Sequence, residues 1–375
     1  MRILIAPDKF KGSLSALQVA EAIKAGFAVV FNDADYELIP IADGGEGTAE
    51  AFAVVIGGEK ISCVTVDALG RKIESDYLWA AKSGIAVIDM SSASGLWRIA
   101  QNERDPMKAS TFGTGVLIRD AFERGARRIY VGLGGSATND GGCGMAAALG
   151  WRFLAASGSL LEPTPEELED VTAIEAPGNP LDVEIIGLAD VKNPLLGNRG
   201  ASAIYGPQKG ADPAMVQRLD AILEQIADCF ARVSGKDPRE TPGAGAAGGL
   251  GFGILAFMSG MVEPGFDAIA ELVSLAKKIQ DADLVLTGEW KLDSQTLEGK
   301  GPAGVAVLAQ RFGKPVIAFG GAISDEEKLA SLFTACFAIA NRPLSLEESE
   351  KDAAVLLTLA ATRVARVLKC GNYHS

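Results

Sequence analysis

The densest polar run in the sequence is TGEWKLDSQTLEGKGPAG, starting at Thr287 directly after the apolar DLVL. It carries Thr287, Glu289, Lys291, Asp293, Ser294, Gln295, Thr296 and Lys300. Carboxylates in such a run can hold a divalent cation or take a proton, and its lysines can neutralise an anion. Pro302 suits the first turn of a following helix, whose N-terminus would face the same ligand. The pattern of an apolar strand ending in an acid recurs. RILIAP ends in Asp8-Lys9, ELIPIA in Asp43 followed by Gly44-Gly45-Glu46-Gly47, and EIIGLA in Asp190. Open α/β sheets bind ligands beyond the carboxyl ends of their strands. Taken singly, each acid could equally cap a helix or fix a turn. Their repetition at successive strand ends favours a Mg²⁺ site or a general base.

A second kind of site is written in YVGLGGSATNDGGCG, residues 130–144. Apolar residues lead into Gly134 and Gly135, then Ser136, Thr138, Asn139 and Asp140, and a helical CGMAAALG follows. A glycine turn at a helix start offers backbone amides and hydroxyls to an anion; a tight turn with capping hydroxyls is the competing account. The stretch matches GxGxx(G/A) only loosely. The window about twenty residues on reads RFLAAS, with no acid for a ribose, so a nicotinamide site is excluded. No GxxxxGK followed by Ser or Thr occurs, so this is not a Walker loop. Lys209 lies in the turn-rich NPLLGNRGASAIYGPQKGA, either as a cation placed near phosphate or as an ordinary surface lysine. PGAGAAGGLGFG allows backbone to approach a nucleotide or helices to pack closely.

Exclusions narrow the chemistry. The one histidine is His374, beside the C-terminus, which removes a Ser-His-Asp triad and a histidine-rich zinc site. A general base must be a carboxylate or a lysine. The formal charge of −13 argues against a nucleic-acid partner. Five scattered cysteines without CxxC suggest reduced thiols and a cytoplasmic protein. The apolar run before Asp8 is too short for a secretory leader, and GLGFGILAFMSGMV is too short to span a bilayer, so no membrane association is expected. Carboxylates, glycine turns and lysines without histidine are the parts of a phosphoryl-transfer site.

The elements that must hold these parts alternate. RILIAP, the helical SLSALQVAEAIKAGF with a capping box at Ser15 and Gln18, and YELIPIA read β-α-β. From Cys63, CVTVDALGRKIESDYLWAAKSGIAVIDM reads as antiparallel hairpins, and WRFLAASGSLL as another. Residues 213–233 have helical spacing, with Met215, Leu219, Ile222, Ile226, Phe230 and Val233 on one face. After about residue 268 the β-α rhythm returns: a helix IAELVSLAKKI, strands DLVLTGE, PVIAFGG and ACFAIA, and a last helix starting near Ser345 with a capping box to Glu348. The chain of 375 residues is too long for one core. The fold expected is α/β with two dissimilar domains. Both chain ends, 1–61 and 268–375, form one parallel Rossmann- or flavodoxin-like sheet, and 62–267 form an inserted domain with a mixed sheet.

At this point whole motifs resemble a known family. APDKFKGSLSA (6–16), ADGGEGT (42–48), GGSATNDGG (134–142), ADVKNPLLGNRGA (189–201), YGPQKGA (205–211), PGAGAAGGLG (242–251) and LDSQTLEGKGPAGVA (292–306) are similar, in order, to those of bacterial glycerate kinases of the glycine-rich, two-domain type. The resemblance implies phosphorylation of D-glycerate, most often at the 2-hydroxyl, with ATP and Mg²⁺, in a cytoplasmic monomer or homodimer. It implies a site in the cleft between the domains. Asp190 and Asp43 are then the leading candidates for the group that orients or deprotonates the hydroxyl. Lys209, Lys291 and Lys9 would neutralise phosphate or carboxylate. Asp8, Ser13, Gly44, Gly45, Glu46, Gly134, Gly135, Ser136, Thr138 and Asp140 would line the substrate and phosphate sites, and Glu289 and Asp293 would serve the metal. A kinase for another small hydroxy acid, a 3-phosphoglycerate product, and a non-catalytic anion- or nucleotide-binding protein are the alternatives. One departure stands out. The family usually has Gly-Arg after TGE, where this chain has Trp290-Lys291; a large ring and a single-point cation at a pocket wall would change affinity or substrate preference.

Overall fold

The computed structural model describes residues 1–371 except Asp43, Glu46, Gly299 and Lys300, with Gln295, Glu298 and Gly371 described by backbone alone. In chain order the strands are β1 (Arg2–Ile5), β2 (Asp35–Leu38), β3 (Glu59–Val66), β4 (Lys72–Ala80), β5 (Ile85–Asp89), β6 (Arg128–Gly132), β7 (Arg152–Leu154), β8 (Ala173–Glu175), β9 (Glu184–Leu188), β10 (Met261–Glu263), β11 (Leu284–Leu292), β12 (Val316–Ile323) and β13 (Ala335–Ala338). Contacts divide the chain into two units. One is Met1–Asp43, Glu50–Val55 and Gly265–Ser375; the other is Gly44–Ala49 and Ile56–Pro264.

The first unit is built on a five-stranded sheet in the order β13-β12-β11-β1-β2. Every pairing is parallel, so the two chain ends share one sheet as the β-α rhythm predicts. Ile3, Leu4 and Ile5 are all buried, the continuous apolar run of a strand covered on both faces. The helix Ala16–Ala28 starts at the expected capping box of Ser15 and Gln18. It crosses the terminal helix Ala353–Gly371 at Gly26, where a Cβ would lie 2.5 Å from the Thr358 carbonyl oxygen. Thr358 and Thr362 hydroxyls donate to the Ala22 and Gly26 carbonyls at the same seam. Three local expectations change. β2 ends at Leu38 instead of running to Asp43. IAELVSLAKKI breaks into Gly265–Leu272 and Leu275–Asp281 around Ser274, which has φ 52°. β11 runs on through Trp290 and Lys291 to Leu292 because β12 continues alongside it, pairing Lys291 with Ala322.

The second unit has a six-stranded mixed sheet, β10-β9-β6-β5-β4-β3. β3, β4 and β5 form the expected antiparallel hairpins, while β5, β6, β9 and β10 are parallel. The carboxyl ends of β5, β6 and β9 therefore lie side by side. WRFLAASGSLL is not a full hairpin: β7 pairs with β8, and only a single bridge joins Leu154 to Leu160. The long helix Pro213–Ser234 starts with Asp212, whose Oδ1 accepts the Met215 amide at 2.8 Å, and stops at left-handed Gly235. It buries Leu219, Ile222, Ile226 and Phe230 but leaves Val233 exposed. Among the described residues no helix is long and apolar enough to cross a membrane.

Candidate active site

In the second unit, three parallel strand ends meet one glycine-rich segment. β5 ends in Asp89, whose carboxylate accepts the Gly47 amide at 3.2 Å and the Ala49 amide at 3.3 Å. β6 runs into Gly134, whose amide donates to the Gly44 carbonyl at 3.0 Å. β9 ends at Leu188, and a Cβ on Gly44 would stand 2.2 Å from its carbonyl oxygen. A Cβ on Gly134 would stand 2.4 Å from the Gly45 Cα. Side chains are excluded where these backbones touch, so glycine at 44 and 134 is a packing requirement. Gly135 is exposed, with φ +73°, and Gly134, Gly45 and Gly47 are half-buried. Asp190 lies just beyond the end of β9 and is exposed. A backbone-rich edge with one exposed carboxylate can receive an anion and take up a proton.

The side chains behind that edge serve the loop itself. Ser136, Thr138 and Asp140 are buried. Ser136 and Thr138 hydroxyls bond each other at 3.0 Å, and Ser136 Oγ donates to the Ala247 carbonyl at 3.2 Å. Asp140 accepts the Thr111 amide and hydroxyl at 2.7 and 2.8 Å, and the Gly142 and Gly144 amides at 3.1 Å each. Burial pushes its carboxyl above the usual range, opposed by those hydrogen bonds. The glycines of PGAGAAGGLGFG are used for close packing: a Cβ on Gly248 would fall 1.9 Å from the Thr138 carbonyl oxygen.

Lys209 is buried as well, at 2% exposure. Its Nζ donates to the Thr138 carbonyl at 2.6 Å and to Ser136 Oγ at 3.4 Å. Burial pushes the ammonium down to about 7, and the Asp140 charge pulls it partly back.

In the first unit, β1 and β11 present the other candidates. The Asp8 amide donates to the Gly288 carbonyl and Thr287 Oγ1 to the Ala6 carbonyl, which locks the two strand ends together. Strand alternation puts Thr287, Glu289 and Lys291 on one face of β11. Lys291 is exposed and its Nζ lies 2.7 Å from buried Asp293; that hydrogen bond and charge push the Lys291 ammonium up. The helix Gly301–Arg311 begins beside Asp8, where a Cβ on Gly301 would be 3.4 Å from Asp8 Oδ2. Lys9 and Ser13 are half-buried, and Ser13 Oγ donates to the Phe10 carbonyl at 3.1 Å. Trp290 points to the opposite face of β11. Its ring meets buried Phe10 edge-on, with centroids 5.7 Å apart, and covers Gly321, where a Cβ would come within 2.5 Å of it.

Thus Asp8, Lys9, Ser13, Glu289, Lys291 and Asp293 belong to the first unit. Gly44, Gly45, Gly134, Gly135, Ser136, Thr138, Asp140, Asp190 and Lys209 belong to the second. Asp43 and Glu46 lie outside the described residues. Asp89 went unmarked in the sequence reading, although AVID carries the same signal of a strand ending in an acid. Among the described residues no group of three or more His, Cys, Asp or Glu side chains could hold a metal ion.

A family model described as the glycerate kinase family matches residues 3–369. The chain belongs to the glycerate kinase family. It is 42% identical over 376 residues to a glycerate kinase of Bacillus subtilis (strain 168), covering 98% of each chain. It is 40% identical over 377 residues to a glycerate 2-kinase of Escherichia coli (strain K12), covering 99% of each. A crystal structure from Salmonella typhimurium LT2, of a protein provisionally called glycerate kinase 2, superposes with TM-score 0.89 at 41% identity, covering 100% of this chain and 99% of that one. As a member of this glycerate kinase family the chain is an enzyme, a phosphotransferase with an alcohol group as acceptor. The same comparison carries the α/β fold, with its parallel sheet from both chain ends and its mixed sheet.

Proposed function

We propose that this glycerate kinase transfers the γ-phosphoryl group of ATP to the 2-hydroxyl of D-glycerate, giving 2-phospho-D-glycerate and ADP. The observation that carries this reading is the 40% identity, over 99% of both chains, to a protein named glycerate 2-kinase. Supporting it are acids and glycine turns at the carboxyl ends of parallel strands, the part of an α/β sheet where ligands bind. The active site is proposed in the cleft between the two domains, with Asp190 or Asp43 accepting the hydroxyl proton. The glycerate oxygen bonds to the γ-phosphorus as the bridging P–O bond to the β-phosphate breaks, and ADP leaves with that electron pair. Lys9 and Lys291 neutralise phosphate or the glycerate carboxylate. The turns at Gly44–Gly45 and Gly134–Gly135 offer amides, with Asp8, Ser13 and Glu46 as further polar contacts.

Mg²⁺ is the metal proposed, held by Glu289 and Asp293. Two carboxylates completed by phosphate oxygens and water are a donor set this ion takes, and buried Asp293 beside a lysine suits a site shared with phosphate. When bound, Mg²⁺ would offset charge on the transferring phosphate. The compartment proposed is the cytoplasm, and the assembly a monomer or homodimer. The test is ADP release with D-glycerate, ATP and millimolar Mg²⁺. Turnover with another hydroxy acid and none with D-glycerate would overturn the substrate. Binding without ADP release would overturn catalysis.

A further inference from the structure

We propose that Lys209 is a positioning residue for the 134–138 turn, holding its backbone for a nucleotide phosphate without touching that phosphate itself. The inference rests on the kinase reading and concerns how the turn is kept in shape. Lys209 cannot reach outward. Pro207 and left-handed Gly210 fix its short turn, and a Cβ on Gly210 would stand 2.6 Å from the Arg104 carbonyl oxygen. The Lys209 amide is itself tied to the Gly206 carbonyl at 2.9 Å. Its ammonium is directed at the Thr138 carbonyl, with Ser136 Oγ as a second acceptor.

Those two acceptors control the turn. Ser136 Oγ also accepts the Thr138 amide at 3.1 Å and donates to the Ala247 carbonyl. Ala247 sits at φ 54°, a left-handed conformation that a non-glycine residue adopts only when its surroundings impose it. Gly248 packs closely on the same Thr138 carbonyl that accepts the Lys209 ammonium. Exposed Gly135 therefore hangs from a clamp made of buried Lys209, Ser136 and Thr138 with half-buried Ala247. The charged groups around Lys209 are Asp140, on the loop that supplies its acceptors, and Arg104, whose Nη1 donates to the Gln208 carbonyl at 3.4 Å. A neutral amine keeps two N–H donors, one for the Thr138 carbonyl and one for Ser136 Oγ, so the clamp survives deprotonation.

The test is ADP affinity with Mg²⁺ by calorimetric titration, together with steady-state kinetics, in Lys209→Met and Ser136→Ala. A clamp that orients amides for binding predicts an ADP affinity loss of about tenfold in Lys209→Met and about threefold in Ser136→Ala, with kcat at saturation changed less than about threefold. If Lys209→Met stays folded and kcat falls by about a hundredfold with ADP affinity unchanged, the lysine contacts the transferring phosphoryl group and the proposal is wrong. Unchanged affinity and unchanged kcat in that variant also overturn it. If Lys209→Met does not fold, Ser136→Ala decides, and unchanged ADP affinity there refutes the clamp. A wild-type protein that binds ADP but does not phosphorylate D-glycerate would sink the substrate assignment and leave this inference testable.

Discussion

Replacing Lys209 by Met keeps most of the length of a buried side chain and removes its titration, so the effect on stability depends on pH. In the folded protein the ammonium is held at about 7, against 10.5 for an unburied lysine. Between those values the unfolded chain carries a proton that the folded chain has released, so raising the pH favours folding. The contribution is complete above 10.5 and is lost as pH falls through about 7. Worked through linkage, the wild type should gain roughly 2 kcal/mol over Lys209→Met between about pH 7 and pH 9. Cys143 and Cys229, whose thiols burial pushes up, titrate in both proteins and cancel in the difference. Urea denaturation followed by tryptophan fluorescence reads mainly the relevant unit, since three of the four tryptophans, Trp79, Trp97 and Trp151, lie in it and Trp290 lies in the other. A stability difference that stays flat across that range, or shrinks, would refute the buried-ammonium account.

Other substitutions give sharper local outcomes. Gly248→Ala puts a Cβ 1.9 Å from the Thr138 carbonyl oxygen at φ +69°, and denaturant unfolding should show a loss of roughly 2–4 kcal/mol. Trp290→Ala removes the ring from Phe10 and Gly321; thermal unfolding should show a loss of roughly 1–3 kcal/mol. The same variant should raise the KM for glycerate more than it lowers kcat, because the ring supports Phe10, the residue after Lys9. Asp190→Asn should lower kcat by about 10²–10⁴-fold in a coupled ADP assay, and full activity would show that another group takes the proton.

What the sequence discloses depends on how local the cause is. The Ser15–Gln18 and Ser345–Glu348 boxes and the helix Pro213–Ser234 lie within a few residues of their own determinants, and each forms as read. The parallel sheet of both chain ends is legible because β-α alternation allows few topologies. The extension of β11 through Lys291 is invisible locally, because it depends on its register with β12. Trp290 looks like a pocket residue beside Glu289; strand alternation turns it to the other face, onto Phe10. Lys209 reads as a cation in a polar loop because its acceptors lie 71 and 73 residues away and no local pattern announces them. Asp89 ends AVID as Asp8 and Asp190 end their strands, so its signal is local and readable.

The proposed reaction moves a phosphoryl group from ATP to the 2-hydroxyl of D-glycerate. The most direct measurement is the ³¹P NMR spectrum of the product formed from D-glycerate, ATP and Mg²⁺. A phosphate ester whose phosphorus couples to the single proton on carbon 2 is the predicted result. Coupling to the two protons on carbon 3, or no ester at all, would contradict it.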